Sequence, residues 1–186
     1  MTMATVTPKT RLKNPAMIVP EAMAPLQALG QLLGQLEDGP ARALSLAMLR
    51  TSQLNGCALC LAGSCRLLRG FGETEERLFA VSAWRESTRF TAPERAALDL
   101  AEAMTRLSDR SDPVPDVVWD EAARHFTERE LALLVLGIAT QNLYNRINVT
   151  TRQVSEDWGD ASAADGAKAW SVETDKKRGE AAASAR

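Results

Sequence analysis

Two capping boxes state where helices begin in this chain. In Thr91-Ala-Pro-Glu94, and again in Thr127-Glu-Arg-Glu130, a threonine is followed three residues later by a glutamate. The threonine hydroxyl accepts from the third helical N–H while the glutamate reaches back to the threonine's own N–H, so two orphan donors are satisfied together. Pro93 suits the first turn, where its missing N–H is no loss. Behind the first box, Ala96, Leu98, Leu100, Ala101, Met104 and Leu107 mix small and large apolar residues, as close helix contacts require. Behind the second, L-A-L-L-V-L-G-I-A-T-Q-N-L-Y-N-R-I-N predicts one long helix to about Thr150. No stretch alternates as a strand would and no repeat is visible, so the chain reads as all-α.

Further helices fill the rest. Pro20 and Glu21 open one whose stripe is Leu26, Leu29, Leu32, Leu33 and Leu36, and Glu37-Asp38-Gly39-Pro40 reads as a turn. Ala41 to Leu54 carries Leu44, Met48 and Leu49 and runs into Asn55-Gly56, a pair that breaks one helix and opens the next. The following helix ends at Gly70, with Arg66 and Arg69 placed where cations suit the dipole. Thr74 to Trp84 and Asp116 to His125 are short helices, and Ser108 to Pro115 is a loop. Residues 1–19, polar and with Pro8 and Pro15, read as an extended arm, residues 20–153 as one helical domain, and residues 154–186 as a polar, mobile tail whose Trp158 and Trp170 are still able to dock on the core.

Composition narrows the function. At 186 residues, 45% hydrophobic and 25% charged, the chain has the make-up of a soluble globular domain with a real core. A net charge of −2 gives no reason to expect nucleic acid or an anionic membrane as partner. The first residues lack a signal-peptide core, and the apolar run Leu131 to Ala139 is too short to span a bilayer. Three cysteines are too few for a disulfide scaffold, so a reducing, cytoplasmic setting is expected.

The chemistry-bearing stretch is S-Q-L-N-G-C-A-L-C-L-A-G-S-C-R-L-L-R-G, Ser52 to Gly70. With a helix opening after Asn55-Gly56, Cys57 falls in its first turn and Cys60 one turn on, both sulfurs on one face. Free N–H groups at a helix start favour a thiolate, the setting of a dithiol that cycles to a disulfide. The plainer alternative is that both cysteines are small apolar filler. Zinc would need four ligands, and only Cys57, Cys60, Cys65 and His125 are on offer; at about 100° per residue Cys65 points away from Cys60, so no metal site is expected. No organic cofactor is implied either.

Four blocks in order resemble the carboxymuconolactone decarboxylase superfamily, in its AhpD-like alkylhydroperoxidase branch. They are L-R-T-S-Q-L-N-G-C-A-L-C, G-E-T-E-E-R-L-F-A-V-S-A-W-R-E, F-T-A-P-E-R-A-A-L-D-L-A-E-A-M-T-R-L, and H-F-T-E-R-E-L through A-T-Q-N-L-Y-N-R-I-N-V, spanning roughly Arg11 to Arg152. The resemblance implies a compact multi-helix domain with the cysteine pair at the start of a central helix, assembled as a homo-oligomer (dimer, trimer or hexamer). It also implies a peroxide-reducing dithiol served by a lipoyl-type or thioredoxin-type donor. In that mechanism Cys60 attacks the hydroperoxide and Cys57 resolves the sulfenic acid to a disulfide.

The family's proton relay has a glutamate twelve residues before the first cysteine and a histidine four after the second. Those positions here are Ser45 and Ser64. A serine hydroxyl hydrogen-bonds a thiolate but does not take its proton near neutral pH. The leading expectation is a weakened thiol peroxidase; the alternative is a thiol sensor, small-molecule binder or scaffold that kept the fold. A decarboxylase stands below both, since the acid it needs is absent. His125, the one histidine, is either a substitute base or a cap on its own helix. Cys65 is expected to pack. Trp84, Arg85, Glu86, Asn142, Asn145 and Arg146 are expected to make helix and subunit contacts, and the Asn148-Val-Thr150 sequon is immaterial in a cytoplasmic protein.

Overall fold

The structure, a computed structural model, describes residues 9–36 and 38–154. It consists of α1 (Pro15–Ile18), α2 (Met23–Leu33), α3 (Asp38–Asn55), α4 (Ala58–Gly70), α5 (Glu75–Ala80), α6 (Ala92–Thr105), α7 (Asp116–His125) and α8 (Glu128–Thr151), with 3-10 turns at Pro20–Ala22 and Val81–Ala83. No strand occurs among the described residues, so the all-α reading holds. Both capping boxes form, Thr91 with Glu94 and Thr127 with Glu130.

α3 is the helix on which the others are laid. It packs most extensively against α6 and α8, and next against α4. One of its faces supplies Ala43, Leu44 and Ala47 to a core shared with α6, α7 and α8, where Leu100, Leu134 and Ile138 are buried. Its other face sends Leu46 and Leu49 into a second cluster with Leu68 of α4, Leu78 of α5 and Leu98 of α6. The small residues set the spacing: a Cβ on Gly137 of α8 would stand 2.4 Å from Leu44 Cδ1, so glycine is what lets α8 approach α3 this closely.

Local boundaries differ from the sequence reading in informative places. The N-terminal segment, expected to be extended, folds one helical turn at α1, because the Asn14 side chain accepts the Ala16 N–H and Pro15 takes the first position. Residues 1–8 of that arm, and the tail with Trp158 and Trp170, lie outside the described residues. Pro20 starts a 3-10 turn rather than α2 itself. In place of the turn expected at 37–40, residues 38–40 form the first turn of α3, with Gly39 and Pro40 inside it, and position 37 lies outside the described residues. Arg11 N–H donates to the Thr151 carbonyl at 2.9 Å, Gln153 Nε2 to the Leu12 carbonyl at 2.7 Å and the Tyr144 hydroxyl to the Leu26 carbonyl at 2.9 Å. These bonds lay the N-terminal segment and α2 along the second half of α8.

Buried charges are paired. Glu102 on α6 accepts from Arg50 Nε of α3 at 2.7 Å and from Trp84 Nε1 at 2.9 Å, and also pairs with Arg85. Burial pushes its carboxyl up, but the hydrogen bonds from Trp84, Arg85 and Arg50 more than offset this, and it ends below the ordinary value. Trp84 and Arg85 thus serve as the helix contacts expected of them. A depressed carboxyl stabilises the fold above its unfolded value, about 4.3, and that contribution is lost as pH falls through the lower folded value. Glu102→Gln is expected to lower the melting temperature near neutral pH, with the gap to wild type narrowing steadily below about pH 4. Thermal melts across that range check it; a gap independent of pH would remove the charge from the account.

Candidate active site at the α3–α4 elbow

The turn that joins α3 to α4 is built by backbone alone. The Gly56 N–H donates to the Gln53 carbonyl at 3.2 Å and the Cys57 N–H to the Ser52 carbonyl at 3.1 Å. This is the Schellman pattern that closes a helix C-terminus, and it needs a left-handed residue between the two donors. Gly56, at φ +64, is that residue. The chain leaves the motif extended at Cys57 (φ −89, ψ 94), which caps α4: its sulfur accepts the Cys60 N–H at 3.4 Å. Cys57 was expected inside the first turn; it stands one residue earlier, as the cap, and Cys60 is the third helical residue.

The two cysteines form a disulfide with a Cα–Cα distance of 5.3 Å, inside the range a bridge requires. Their surroundings are unequal. Cys57 is 2% exposed, whereas Cys60 is half-buried. Cys60 Sγ accepts a hydrogen bond from Asn148 Nδ2 of α8 at 3.3 Å. The electropositive helix tip therefore faces Cys57 most directly, while Cys60 has a side-chain amide from another helix. An N–H aimed at sulfur favours the thiolate over the thiol, because a charged acceptor roughly doubles the strength of the bond.

A stripe of amides on α8 holds this elbow in place. Asn55 Nδ2, on the last residue of α3, donates to Asn142 Oδ1 at 3.0 Å and to Asn145 Oδ1 at 2.9 Å. Gln141 Nε2 and Asn145 Nδ2 donate to Ser52 Oγ at 2.9 and 3.2 Å, and Ser52 in turn donates to the Met48 carbonyl at 2.9 Å. Arg146 Nη1 donates to Asn142 Oδ1 at 2.9 Å. Asn145 and Ser52 are fully buried. Asn142, Asn145 and Arg146 thus make the helix contacts expected of them, and Asn148 continues the same face one turn on.

The remaining candidates fall elsewhere. Ser45 is buried in α3 with its hydroxyl donating to the Ala41 carbonyl at 2.8 Å, so its one proton is spent within its own helix. Ser64 is half-buried on α4, one turn beyond Cys60. His125 ends α7 and hydrogen-bonds Glu121 of that helix at 3.0 Å; neither sulfur is its partner. Cys65 packs against the second core cluster; burial pushes its thiol above the ordinary value, with Arg69 acting in the opposite sense and Glu75 with it. Among the described residues no cluster of histidine, cysteine or carboxylates is arranged to hold a metal. Sequence reasoning missed Asn148 at the sulfur, treating it only as a sequon; the amide spacing 141, 142, 145, 148 was the signal available.

Comparison with known proteins places this geometry. The carboxymuconolactone decarboxylase family matches residues 20–103, the span that contains the elbow and both cysteines. The uncharacterised protein YdfG of Bacillus subtilis (strain 168) is 36% identical over 104 residues, which cover 56% of this chain and 69% of that one. The chain belongs to the carboxymuconolactone decarboxylase family. The uncharacterised protein YnjA of Escherichia coli (strain K12) is 33% identical over 104 residues, 56% of each chain. A crystal structure from Agrobacterium tumefaciens, ATU0492, described as a protein of unknown function and proposed antioxidant defence protein AhpD, superposes with a TM-score of 0.71 at 33% identity; the match covers 78% of this chain and 97% of that one. The AhpD-like resemblance of the four sequence blocks is thereby borne out.

The amide at Cys60 has a measurable consequence. In the reduced protein, Asn148→Ala is expected to slow iodoacetamide alkylation of Cys60 by about tenfold near pH 7, the worth of a hydrogen bond to a charged group. At about pH 10, where thiols ionise unaided, the two rates should converge. Equal slowing at both pH values would mean that the asparagine merely shapes access.

Proposed function

We propose that the protein is an AhpD-like thiol peroxidase in which Cys60 is the nucleophile and Cys57 the resolving thiol. The observation that carries this reading is the inequality of the pair: at disulfide separation, the buried sulfur caps the helix and the half-exposed one receives the Asn148 N–H. The accessible sulfur is the one a hydroperoxide reaches. Its thiolate attacks the terminal peroxide oxygen, the O–O bond breaks, and the leaving alkoxide takes a proton from water to depart as the alcohol. The Cys57 thiol then displaces hydroxide from the sulfenic acid, giving the disulfide and water. A donor dithiol, lipoyl-type or thioredoxin-type, returns two electrons and two protons by thiol–disulfide exchange.

The family likeness and the AhpD-like neighbour support an antioxidant role. With serines at both relay positions, neither takes up the thiol proton, and general-base help is worth roughly 10²–10⁴-fold. A slow enzyme is the consistent expectation. The same serines favour a second reading from another class, a thiol sensor or binding member of the fold that never turns over. A dithiol cycle of this kind works in a reducing compartment, the cytoplasm. No helix among the described residues is long and apolar enough to cross a membrane. A homo-oligomer is the expected assembly, with the exposed line Leu136, Ala139 and Leu143 of α8 as the surface a second copy would cover.

Mass spectrometry separates the two readings. One equivalent of hydroperoxide added to the reduced protein should yield a Cys57–Cys60 disulfide well before free cysteine is consumed; thiols that persist as long as free cysteine exclude the peroxidase. Restoring the base by Ser64→His together with Ser45→Glu should raise the turnover rate by about tenfold or more. No gain would show that proton transfer is not the step these serines limit.

A further inference from the structure

We propose that the cleft between the N-terminal segment and the second half of α8 binds a compact, neutral, apolar group whose reactive head is delivered to Cys60, with Asn148 as the positioning residue between them. This rests on the reading that Cys60 is the reactive sulfur. The cleft has a volume of about 260 Å³ and is walled by Ala16 of α1, Met23 and Leu26 of α2, and Tyr144, Ile147 and Asn148 of α8. At about 30 Å³ per water-sized unit it has room for on the order of eight non-hydrogen atoms.

Its chemistry selects against charge. Among the described residues no lysine, arginine, aspartate or glutamate lines it; beyond the apolar walls they contribute the amides of Asn14, Gln27 and Asn148 and the Tyr144 phenol. Two of these polar groups are already engaged, Asn14 Oδ1 by the Ala16 N–H at 3.0 Å and the Tyr144 hydroxyl by the Leu26 carbonyl. Burial pushes the Tyr144 phenol above its ordinary value, as an apolar surrounding does. An ion entering here would lose its hydration and meet no counter-charge, whereas an alkyl or aryl group loses nothing. The larger cavity of about 460 Å³ beside Trp84 is lined by Arg85, Arg95, Asp99 and Glu121 and includes no residue that touches either sulfur.

Asn148 joins the cleft to the chemistry, because it lines the cavity and also donates to Cys60 Sγ. One N–H of its amide is taken by the sulfur, which leaves a second N–H and the carbonyl oxygen. A hydroperoxide head is itself donor and acceptor. Seated against that amide, with its carbon tail among Met23, Leu26 and Ile147, it is presented to the sulfur the amide already holds.

The test uses the reduced full-length protein and two single variants, Met23→Trp and Leu26→Trp, each filling the cleft from the half-buried edge of α2 and outside both core clusters. Two rate ratios are read at Cys60 by peptide mass spectrometry: cumene hydroperoxide over hydrogen peroxide, and N-cyclohexylmaleimide over iodoacetamide. Each is expected to fall by about tenfold or more in either variant, since an apolar group of this size is no longer buried. Either ratio staying constant in a variant that melts like wild type overturns the proposal. If Cys60 ignores both peroxides, the peroxidase reading fails by itself and the alkylation ratio alone decides the cleft, its fall supporting the site and its constancy overturning it. A melting shift in one variant leaves the decision to the other.

Discussion

The bond on which the site depends is the one between the end of α3 and the middle of α8, made by Asn55 with Asn142 and Asn145 and by Ser52 with Gln141 and Asn145. These are neutral groups, buried at Ser52, Gln141, Asn142 and Asn145, where each unmatched donor or acceptor would cost about 1–3 kcal/mol. Because every partner is spoken for by another, the helix end cannot rotate or fray without several being stranded at once. The Schellman turn that follows is therefore anchored on its helical side, and the direction in which Cys57 leaves it is fixed before α4 begins. The cysteines inherit their geometry from amides on another helix, not from the C-x-x-C spacing itself.

The same logic of paired polar groups runs along the side of α3 that meets α5 and α6. Glu102 gathers Arg50, Trp84 and Arg85, and Glu73 is held between Arg42 and Arg77. Burial opposes ionisation of both carboxyls, and the hydrogen bonds, from Trp84 and the arginines at Glu102 and from the arginines at Glu73, outweigh it, leaving each below its ordinary value. Breaking such a cluster on one side strands a buried charge, which is far costlier than the pairs are worth as net stability. What the clusters contribute is register: α3, α5 and α6 have one relative position that satisfies them, and the leucine clusters alone would tolerate several. Gly137 adds a steric condition of the same kind, admitting α8 to contact distance only where Leu44 lies opposite.

What the sequence disclosed and what it hid follow from the range of each interaction. Capping boxes at Thr91 and Thr127 are local, three residues long, and both were legible with their helices. Asn55-Gly56 was legible as a break because positive φ is a property of one residue. The cap position of Cys57 was off by one, since the residue at which a Schellman motif hands over to an N-cap depends on which carbonyls the backbone finds, here those of Ser52 and Gln53. Asn148 was legible as one more amide on the 141, 142, 145 face but not as a sulfur's partner, because 88 residues separate it from Cys60. The one-turn helix at α1 was hidden by Pro15, whose breaker reputation conceals that it is well placed at a first helical position.

On the proposed peroxidase reading, Asn148 also sets what kind of catalyst the site would be. An amide donor stabilises a thiolate once formed, and a hydrogen bond to a charged atom supplies about 1.5–3 kcal/mol, roughly ten to a hundredfold in the ionised fraction. It takes up no proton and gives none, so it replaces only half of what a glutamate–histidine relay does. The half that is missing, delivery of a proton to the departing alkoxide, is left to water at the half-exposed sulfur. A poor leaving group such as hydroxide or a simple alkoxide feels that absence most, and a hydroperoxide with a more stable anion feels it least. On that reading the cleft and the missing acid act on different parts of the substrate: the first selects a compact apolar tail, and the second penalises every basic leaving oxygen, hydroxide and simple alkoxide alike.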